Sequence, residues 1–368
     1  MVKRIATETI SRPKTLVIGV HSPYNPTKNI ESYYEEFLNL VRTNGIEPDH
    51  TMFIKLREID PATFFTKGKV NELVDLCNKE QIEEVIISEP IAPKQERNLT
   101  QLLQCTIFDR TELILEIFEK GATSAEGKIQ VEIAMLNHQK TRLAGKGIEM
   151  AQQAGQIGMR GPGKTQKEMD LEHIEHLMIA LRKKLARIHQ IRETQRKARL
   201  NTQVPLICLI GYTNAGKSSL FNKLTKSNVL SEDKLFATLD TTTRELYVNS
   251  KKKGLLSDTV GFIQQLPHQL IEAFKATLDE LQYAHLLLHV VDISDANWQA
   301  HIMTVNNVLE ELEVVDKQIL YVFNKSDKVD EIVLATMPLG KYQPHVVTST
   351  YTEGGLDQLI AFLADWKP

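Results

Sequence analysis

The sequence predicts an α/β protein in three parts: an N-terminal α/β domain, a helical hairpin linker and a C-terminal P-loop domain. Short apolar runs alternate with helical patterns over residues 14–115, and two helical patterns flank a glycine-rich stretch. A buried strand then leads into a phosphate-loop motif at 211–218. We expect the three domains to cover residues 1–120, 121–200 and 201–368.

The N-terminal part alternates strand and helix at a spacing typical of a mainly parallel sheet, because each parallel connection needs a crossover. Gly45 marks the end of a predicted helix, and Pro90 follows the end of a predicted strand. The predicted strands span 15–20, 51–54, 84–88 and 105–109, and the predicted helices span 29–44, 70–79 and 99–104.

The middle part predicts two helices that pack as an antiparallel hairpin. A helical pattern runs from 111 to 143, with breaks expected at Gly121 and again near Gly127. Four glycines with a proline within 155–163 then exclude a helix. Beyond them, apolar residues recur at spacings of three and four, which predicts a long helix with an apolar packing seam. The seam consists of Leu171, Ile174, Leu177, Met178, Leu181, Leu185, Ile188 and Ile191.

Charge is unevenly distributed along the chain. The formal net charge is −3, yet residues 140–200 hold 14 Lys and Arg against 6 Asp and Glu, a local balance of +8. Such a segment is expected to face a polyanion, so nucleic acid is the first candidate partner.

The N-terminus and the cysteines favour a cytoplasmic protein. The first residues lack the apolar core of a signal peptide, and no run approaches the ~18 apolar residues that a membrane span requires. Cys77, Cys105 and Cys208 are far apart and form no C-x-x-C pair, which argues against a disulfide framework or a zinc ribbon. We therefore expect a reducing compartment and no membrane span.

A phosphate loop follows the apolar strand at 206–210. The run reads G-x-x-x-x-G-K-S, and its glycines let backbone N–H groups converge on phosphate oxygens. Lys217 supplies a positive charge to the β- and γ-phosphates, and Ser218 offers a hydroxyl to Mg²⁺. The eight residues are Gly211, Tyr212, Thr213, Asn214, Ala215, Gly216, Lys217 and Ser218.

A D-x-x-G motif comes next, at the end of another short strand. We expect Asp258 to reach the magnesium ion through water and the Gly261 amide to sense the γ-phosphate. Lys217 and Gly261 are therefore candidate catalytic residues. Thr259 and Val260 complete the motif.

An N-K-x-D motif ends a later strand and identifies the base. The Asp327 carboxylate can accept hydrogen bonds from both N1–H and the exocyclic amine of guanine, a donor pair that adenine lacks. Four motifs in order, each at a strand's C-terminal end, predict a P-loop GTPase domain that prefers GTP to ATP. The predicted base contacts are Asn324, Lys325, Ser326, Asp327 and, after a last strand, Thr348, Ser349 and Thr350.

A threonine-rich loop lies between the first two motifs. Residues 236–244 hold four threonines, and any of their hydroxyls could close on the magnesium ion when the γ-phosphate is present. Their spacing does not choose among them. The predicted contacts here are Phe236, Ala237, Thr238, Leu239 and Asp240.

The residue after Gly261 is Phe262, where Ras-like enzymes carry a glutamine that orients the attacking water. An apolar side chain cannot do this, so hydrolysis is expected to be slow or to use another device. One candidate is Asn214, whose carbonyl oxygen could ligate K⁺ beside the phosphates as a second cofactor to Mg²⁺. The alternative is that Asn214 only shapes the loop.

These residues resemble the HflX family of ribosome-associated GTPases over nearly the whole chain. The resemblance implies an HflX domain joined by a helical hairpin to a GTPase domain that binds the large ribosomal subunit, and some members split stalled ribosomes. It further implies that Thr238 is the magnesium-sensing threonine and that the glycine-rich loop approaches the peptidyl-transferase centre. The matching segments are 67–70, 109–118, 126–136, 160–166, 211–218 and 236–240.

The chain departs from the family pattern in three places. Lys164 and Lys167 add positive charge to the loop, and Thr241 stands where the family usually has proline. The short stretch after Thr350 leaves no room for the extra C-terminal domain of longer relatives, so splitting is expected to be weaker or lost. Two functions stay open: a GTP-hydrolysing switch on the ribosome, or a nucleotide-gated assembly or hibernation factor with incidental turnover. A monomer is expected.

Overall fold

The computed structural model describes residues 12–25, 27, 29–145, 166–200, 204–226, 235–236, 241–265 and 280–368. The chain divides into two compact units. The first combines residues 1–114 and 141–163, and the second combines residues 115–140 and 164–368. The domain boundaries expected from the sequence, at 120 and 200, remain a prediction.

The first unit contains a four-stranded parallel sheet, as its strand–helix alternation predicted. The strand order is β2-β1-β3-β4, so the chain moves to one side of β1 and then returns to its other side. The strands are β1 (Thr15–His21), β2 (His50–Lys55), β3 (Glu84–Ile87) and β4 (Thr106–Asp109), and the connecting helices are α1 (Ile30–Thr43), α2 (Lys67–Glu80) and α3 (Pro93–Leu103).

Local signals set the limits of these helices. The side chain of Asn29 accepts a hydrogen bond from the Ser32 amide and so caps the start of α1. Pro93 occupies the first turn of α3, where its missing N–H costs nothing. One apolar core joins the sheet to α2 and α3, with Leu16, Leu73 and Leu99 fully buried in it.

Two long helices in the middle of the chain run antiparallel, as predicted for a hairpin. They are α5 (Ala125–Gly145), which follows α4 (Arg110–Gly121), and α6 (Gln166–Leu200). The break predicted at Gly121 is present, but the one predicted near Gly127 was wrong, because a single glycine in the first turn of α5 does not end a helix. Lys140 pairs with Glu175 at 2.8 Å, and Glu126 near the start of α5 pairs with His189 far along α6 at 3.6 Å. The glycine-rich stretch between them falls largely within 146–165, outside the described residues.

The apolar seam on α6 is narrower than the sequence predicted. Ile174, Met178 and Leu181 are buried, but Leu177 is 38% exposed and Ile191 is 60% exposed. An α-helix has 3.6 residues per turn, so residues spaced by three and by four lie on slightly different sides of the helix. The residues predicted for the seam therefore cover a wider face than a neighbouring helix can bury. The prediction was wrong for these two residues.

The rest of the second unit is a six-stranded sheet with flanking helices. The order is β10-β9-β8-β5-β7-β6, and only the edge strand β6 is antiparallel to its neighbour. Its strands are β5 (Leu206–Gly211), β6 (Thr242–Val248), β7 (Lys251–Asp258), β8 (Leu286–Asp292), β9 (Gln318–Asn324) and β10 (His345–Val347). Its helices are α7 (Lys217–Thr225), α8 (Trp298–Glu311), α9 (Glu331–Thr336) and α10 (Asp357–Asp365).

The topology of this sheet determines where a ligand can bind. Five of its strands are parallel, so their carboxyl ends meet at one edge, beside the N-terminus of α7. The motifs predicted from the sequence all follow the ends of these strands. Within the described part of the chain, every helix is too short or too polar to span a lipid bilayer.

Candidate nucleotide-binding site

The phosphate loop joins the end of β5 to the start of α7 and depends on two glycines. Gly211 has φ +148°, and a β-carbon there would lie 2.2 Å from the Val290 carbonyl oxygen of neighbouring β8. Gly216 has φ +92°, and a β-carbon there would lie 2.3 Å from the Asn324 Nδ2 atom. Both positions therefore require glycine, for space as well as for backbone conformation.

Lys217 starts α7 and is 6% exposed. Its Nζ donates hydrogen bonds to the carbonyl oxygens of Gly211 at 3.1 Å and Tyr212 at 2.8 Å, which hold the ammonium group across the mouth of the loop. Burial lowers the pKa of Lys217 to about 8, against the opposing effect of Asp258. A buried, poorly solvated cation gains strongly from a phosphate group, so this position suits phosphate binding.

Two of the residues predicted to serve magnesium, Ser218 and Asp258, lie side by side. The Ser218 hydroxyl donates to Asp258 Oδ2 at 2.8 Å, which joins the start of α7 to the end of β7. A hydroxyl and a fully buried carboxylate are hard oxygen donors, and Mg²⁺ prefers such ligands. The next residue, Thr259, is anchored by donating its hydroxyl to the Leu209 carbonyl at 2.7 Å.

Gly261 lies directly against the phosphate loop. A β-carbon there would lie 2.8 Å from Thr213 Cγ2 and 2.9 Å from Lys217 Nζ. Phe262 is 2% exposed, and its backbone pairs with the loop: its N–H donates to the Gly211 carbonyl, and its carbonyl accepts from the Thr213 amide. The phenyl ring is thus buried in the protein, so residue 262 itself offers no water-orienting group where Ras-type enzymes have a glutamine.

The base-reading motif is tied to the phosphate loop. Asn324 at the end of β9 is fully buried, and its Nδ2 donates to the Ala215 carbonyl at 2.9 Å. Lys325 has a left-handed backbone, with φ +64°, and its Nζ pairs with Asp292 at 2.7 Å. Both contacts fix the direction in which the motif leaves the strand.

The last predicted loop approaches the same motif from β10. Ser349 donates its hydroxyl to Asp327 Oδ1 at 2.5 Å, so the predicted guanine-reading carboxylate has a defined orientation. The Thr348 carbonyl accepts hydrogen bonds from the Ser326 amide and hydroxyl. Thr350 follows and is also buried. The structure therefore brings 324–327 and 348–350 together, as the motif order predicted.

Among the remaining residues predicted to contact the nucleotide or its cations, the structure describes Asn214 and Phe236. Asn214 is exposed at the tip of the phosphate loop with φ +59°, a conformation that asparagine tolerates better than most residues. Phe236 is 6% exposed and also has positive φ, at +58°. Ala237, Thr238, Leu239 and Asp240 lie outside the described residues, so the choice among the threonines remains a prediction.

Three residues next to the candidate site were not predicted from the sequence, because strand pairing and helix packing bring them in from distant parts of the chain. Asp292, at the end of β8, pairs with Lys325. His301 of α8 stacks on Tyr212, with ring centroids 3.8 Å apart. His289 in β8 is fully buried, and burial together with Lys217 lowers its pKa to about 3. Only Asp292 had a signal, since it is an acidic residue at the end of a predicted strand.

Three family models match consecutive parts of the chain. The model described as "GTP-binding GTPase N-terminal" matches residues 31–119, and "GTP-binding GTPase Middle Region" matches residues 121–199. The model described as "50S ribosome-binding GTPase" matches residues 206–325, which include the phosphate loop, Asp258–Gly261 and most of the base-reading motif. The chain thus carries a GTPase domain with the expected nucleotide loops.

Similar proteins cover most of the chain. GTPase HflX of Magnetococcus marinus is 42% identical over 330 residues, 89% of this chain and 76% of the relative. GTPase HflX of Escherichia coli is 39% identical over 347 residues, 94% of this chain and 81% of the relative. A solved structure, the complex of SsGBP with GDP, has 25% identity and a TM-score of 0.54, and the match covers 95% of this chain and 97% of that one.

The nucleotide loops and the relatives agree. The protein binds GTP and hydrolyses it, and magnesium is the metal typical of such enzymes. On the geometry of its site and its likeness along nearly the whole length, the chain belongs to the HflX family of GTPases.

Proposed function

We propose that this GTPase is a nucleotide-driven switch that binds the large ribosomal subunit in its GTP form and leaves after hydrolysis. The observation that carries the proposal is a basic surface on α6. Arg182, Lys183, Lys184 and Arg187 are all exposed there, within the segment whose net charge is +8. Exposed lysine and arginine side chains bind the phosphates of ribosomal RNA, a polyanion.

The position of this surface links it to the nucleotide site. Helix α6 belongs to the same compact unit as the phosphate loop, so a partner bound to it can be sensitive to nucleotide state. The family model described as "50S ribosome-binding GTPase", which matches residues 206–325 of this chain, supports the same partner. Splitting or rescue of stalled ribosomes is the activity that we propose for the bound state.

At the nucleotide, we assign each residue a role from its chemistry. Lys217 and the loop amides hold the phosphates, and Ser218, Asp258 and Thr238 hold Mg²⁺, which neutralises charge on the phosphates. The Gly261 amide contacts the γ-phosphate. Asn324, Asp327 and the loop at 348–350 hold guanine.

Asn214 is our candidate ligand for a potassium ion. Asn214 is exposed at the tip of the loop that receives the phosphates. A monovalent cation bound there would supply the positive charge that an arginine finger supplies in other GTPases. We expect hydrolysis to be faster in K⁺ than in Na⁺ at equal ionic strength, and the Asn214→Ala variant to lose that difference. Equal rates in both salts would leave Asn214 as a loop-forming residue only.

The ribosome proposal is tested by sedimentation. The chain, bound to a non-hydrolysable GTP analogue or to GDP, is centrifuged with large or small subunits, and GTP hydrolysis is measured with each. We expect co-sedimentation with the large subunit, strongest with the GTP analogue, and hydrolysis stimulated at least about tenfold, in keeping with the scale on which partners stimulate other GTPases. Absence of binding to the large subunit would refute the proposal.

A charge-reversal variant tests the basic surface itself. Arg182→Glu, Lys183→Glu and Lys184→Glu together should abolish co-sedimentation but leave intrinsic GTP hydrolysis unchanged. The matched control reverses three exposed lysines elsewhere, Lys55, Lys251 and Lys341, and so carries the same total charge change. If both variants bind equally, α6 is not the docking surface.

The second candidate function is a nucleotide-gated assembly or hibernation factor. The observation that favours it is the buried Phe262, which leaves the site without a water-orienting side chain from that position. Binding to the subunit without stimulated hydrolysis and without dissociation of ribosomes would support this function over the first.

A further inference from the structure

Tyr212 is the second residue of the phosphate loop, yet its side chain makes its described contacts with other parts of the fold. Its ring lies parallel to the imidazole of His301 on α8, with centroids 3.8 Å apart and an interplanar angle of 9°. The two side chains are 6% and 8% exposed. The stack fixes the direction of the phenol group.

That phenol oxygen accepts a hydrogen bond from the backbone N–H of Gln264 at 2.9 Å. Gln264 stands three residues after Gly261 in the chain. The hydroxyl thus holds the backbone of the segment that begins at Gly261 and ends at Gln264.

Two backbone hydrogen bonds hold the same segment from its other end. The Thr213 amide donates to the Phe262 carbonyl at 2.8 Å, and the Phe262 amide donates to the Gly211 carbonyl at 3.2 Å. These two bonds hold Phe262. The Tyr212 hydroxyl adds a hydrogen bond two residues further on, at Gln264.

The backbone at Gly261 has little room to move. A single β-carbon there would meet Thr213 and the Lys217 ammonium below 3 Å, so small shifts of this segment change its distance from the phosphate-binding groups. Because Gly261 has no side chain and Phe262 is buried without a polar group, these two residues contribute to the site through their backbone.

We infer that Tyr212 is a positioning residue for GTP hydrolysis: its hydroxyl, aimed by the His301 stack, holds the segment 261–264 where the Gly261 amide meets the terminal phosphate. The inference rests on the assignment of Gly261 to the γ-phosphate. It predicts a side chain that distinguishes GTP from GDP without touching either, since GDP has no γ-phosphate for Gly261 to contact.

The decisive variant is Tyr212→Phe in the full chain, because it keeps the aromatic stack and removes only the hydroxyl. Losing one hydrogen bond corresponds to about threefold to tenfold in an equilibrium. We expect the affinity for a fluorescent non-hydrolysable GTP analogue, and the rate of GTP hydrolysis, to fall by about that factor. Affinity for fluorescent GDP should match that of the parent protein, and the melting temperature should fall by no more than about 2–4 °C, the cost of one hydrogen bond in a domain of this size.

Two further variants separate positioning from packing. Tyr247→Phe removes another tyrosine hydroxyl, one that donates to Glu245 on exposed β6, and should change neither affinity. His301→Ala removes the stack and should lower the GTP-to-GDP affinity ratio as well as the melting temperature. In the double variant with Tyr212→Phe, the ratio should fall no further, because both changes act on one bond.

Two results would overturn the inference. An unchanged GTP-to-GDP affinity ratio and hydrolysis rate in Tyr212→Phe would show that the hydroxyl does not position Gly261. Equal weakening of both nucleotides with a lower melting temperature would show that Tyr212 is a packing residue only. If that ratio also fails to change in Gly261→Ala, the assignment of Gly261 to the γ-phosphate fails instead, which distinguishes the two cases.

Discussion

The ring of Phe118 meets the ring of Phe236 edge to face, with centroids 4.6 Å apart and planes at 78°. Phe118 lies near the end of α4, and Phe236 lies two residues before Thr238, the predicted magnesium-sensing threonine. Both side chains are nearly inaccessible to solvent, at 1% and 6%. The positive φ of Phe236 is unfavourable for an aromatic residue, so this packing must help to hold it.

We predict that Phe118→Ala destabilises the protein by about 3–5 kcal/mol, the usual cost of removing a buried phenyl ring. In a double-mutant cycle with Phe236→Ala, the two rings should show a coupling of about 0.5–1.5 kcal/mol. Urea denaturation of the four proteins gives these values. Strictly additive losses would mean that the rings do not stabilise each other.

Gly216→Ala should abolish nucleotide binding while leaving a folded protein. The new methyl group would lie 2.3 Å from Asn324 Nδ2, and the φ of +92° is strained for alanine. The change thus disturbs the phosphate loop and the base-reading motif together. Equilibrium titration with fluorescent GDP checks this, and Gly340→Ala is the matched control because a β-carbon there meets nothing within 4 Å.

Asp327→Asn should weaken GTP binding by at least about a hundredfold, because the carboxylate makes two charge-assisted hydrogen bonds to guanine in our assignment. Xanthosine triphosphate should now bind better, since xanthine has a carbonyl where guanine has the amine and asparagine can donate to it. Competition titrations measure both affinities. Asp316→Asn, at an exposed residue away from the site, is the control and should keep the preference for GTP.

Stability should depend on His289 at acid pH. Its ordinary pKa is 6.5, and the folded protein lowers it to about 3. Below pH 6.5 the unfolded chain binds a proton at His289, whereas the folded chain binds it only near pH 3. The free energy of unfolding therefore falls as the pH drops from 6.5 to about 3. The loss is about 1.4 kcal/mol per pH unit.

The His289→Gln variant isolates this contribution from those of the carboxylates. Its free energy of unfolding, measured from pH 7 to pH 5, should fall less steeply than that of the parent protein. A difference between the two proteins that stays constant with pH would mean that His289 titrates normally in the fold.

Much of the fold was predictable because its signals are local. The strands that become β1, β3 and β5 are continuous apolar runs, and the turn between β5 and α7 is specified by its own glycines. Motif order placed Asp258, Asn324 and Ser349 at one edge of the sheet, since parallel strands end together.

The remaining site contacts join residues that no local pattern relates. His301 stands 89 positions after Tyr212, and only the packing of α8 on the sheet stacks one on the other. The same applies to Phe118 and Phe236, which belong to a helix and a loop far apart in the chain. Such contacts depend on tertiary geometry, which periodicity and spacing do not encode.

The hydrogen bond from Asn324 to Ala215 joins the part that reads the base to the part that holds the phosphates, across 109 positions of sequence. In our assignment of these residues, base and phosphates are therefore bound by two loops that this hydrogen bond holds at a fixed separation. A guanine nucleotide whose sugar linkage is longer or shorter should be rejected by length alone. In our assignment, the difference between GTP and GDP is then expressed at Gly261, which lies against the phosphate loop.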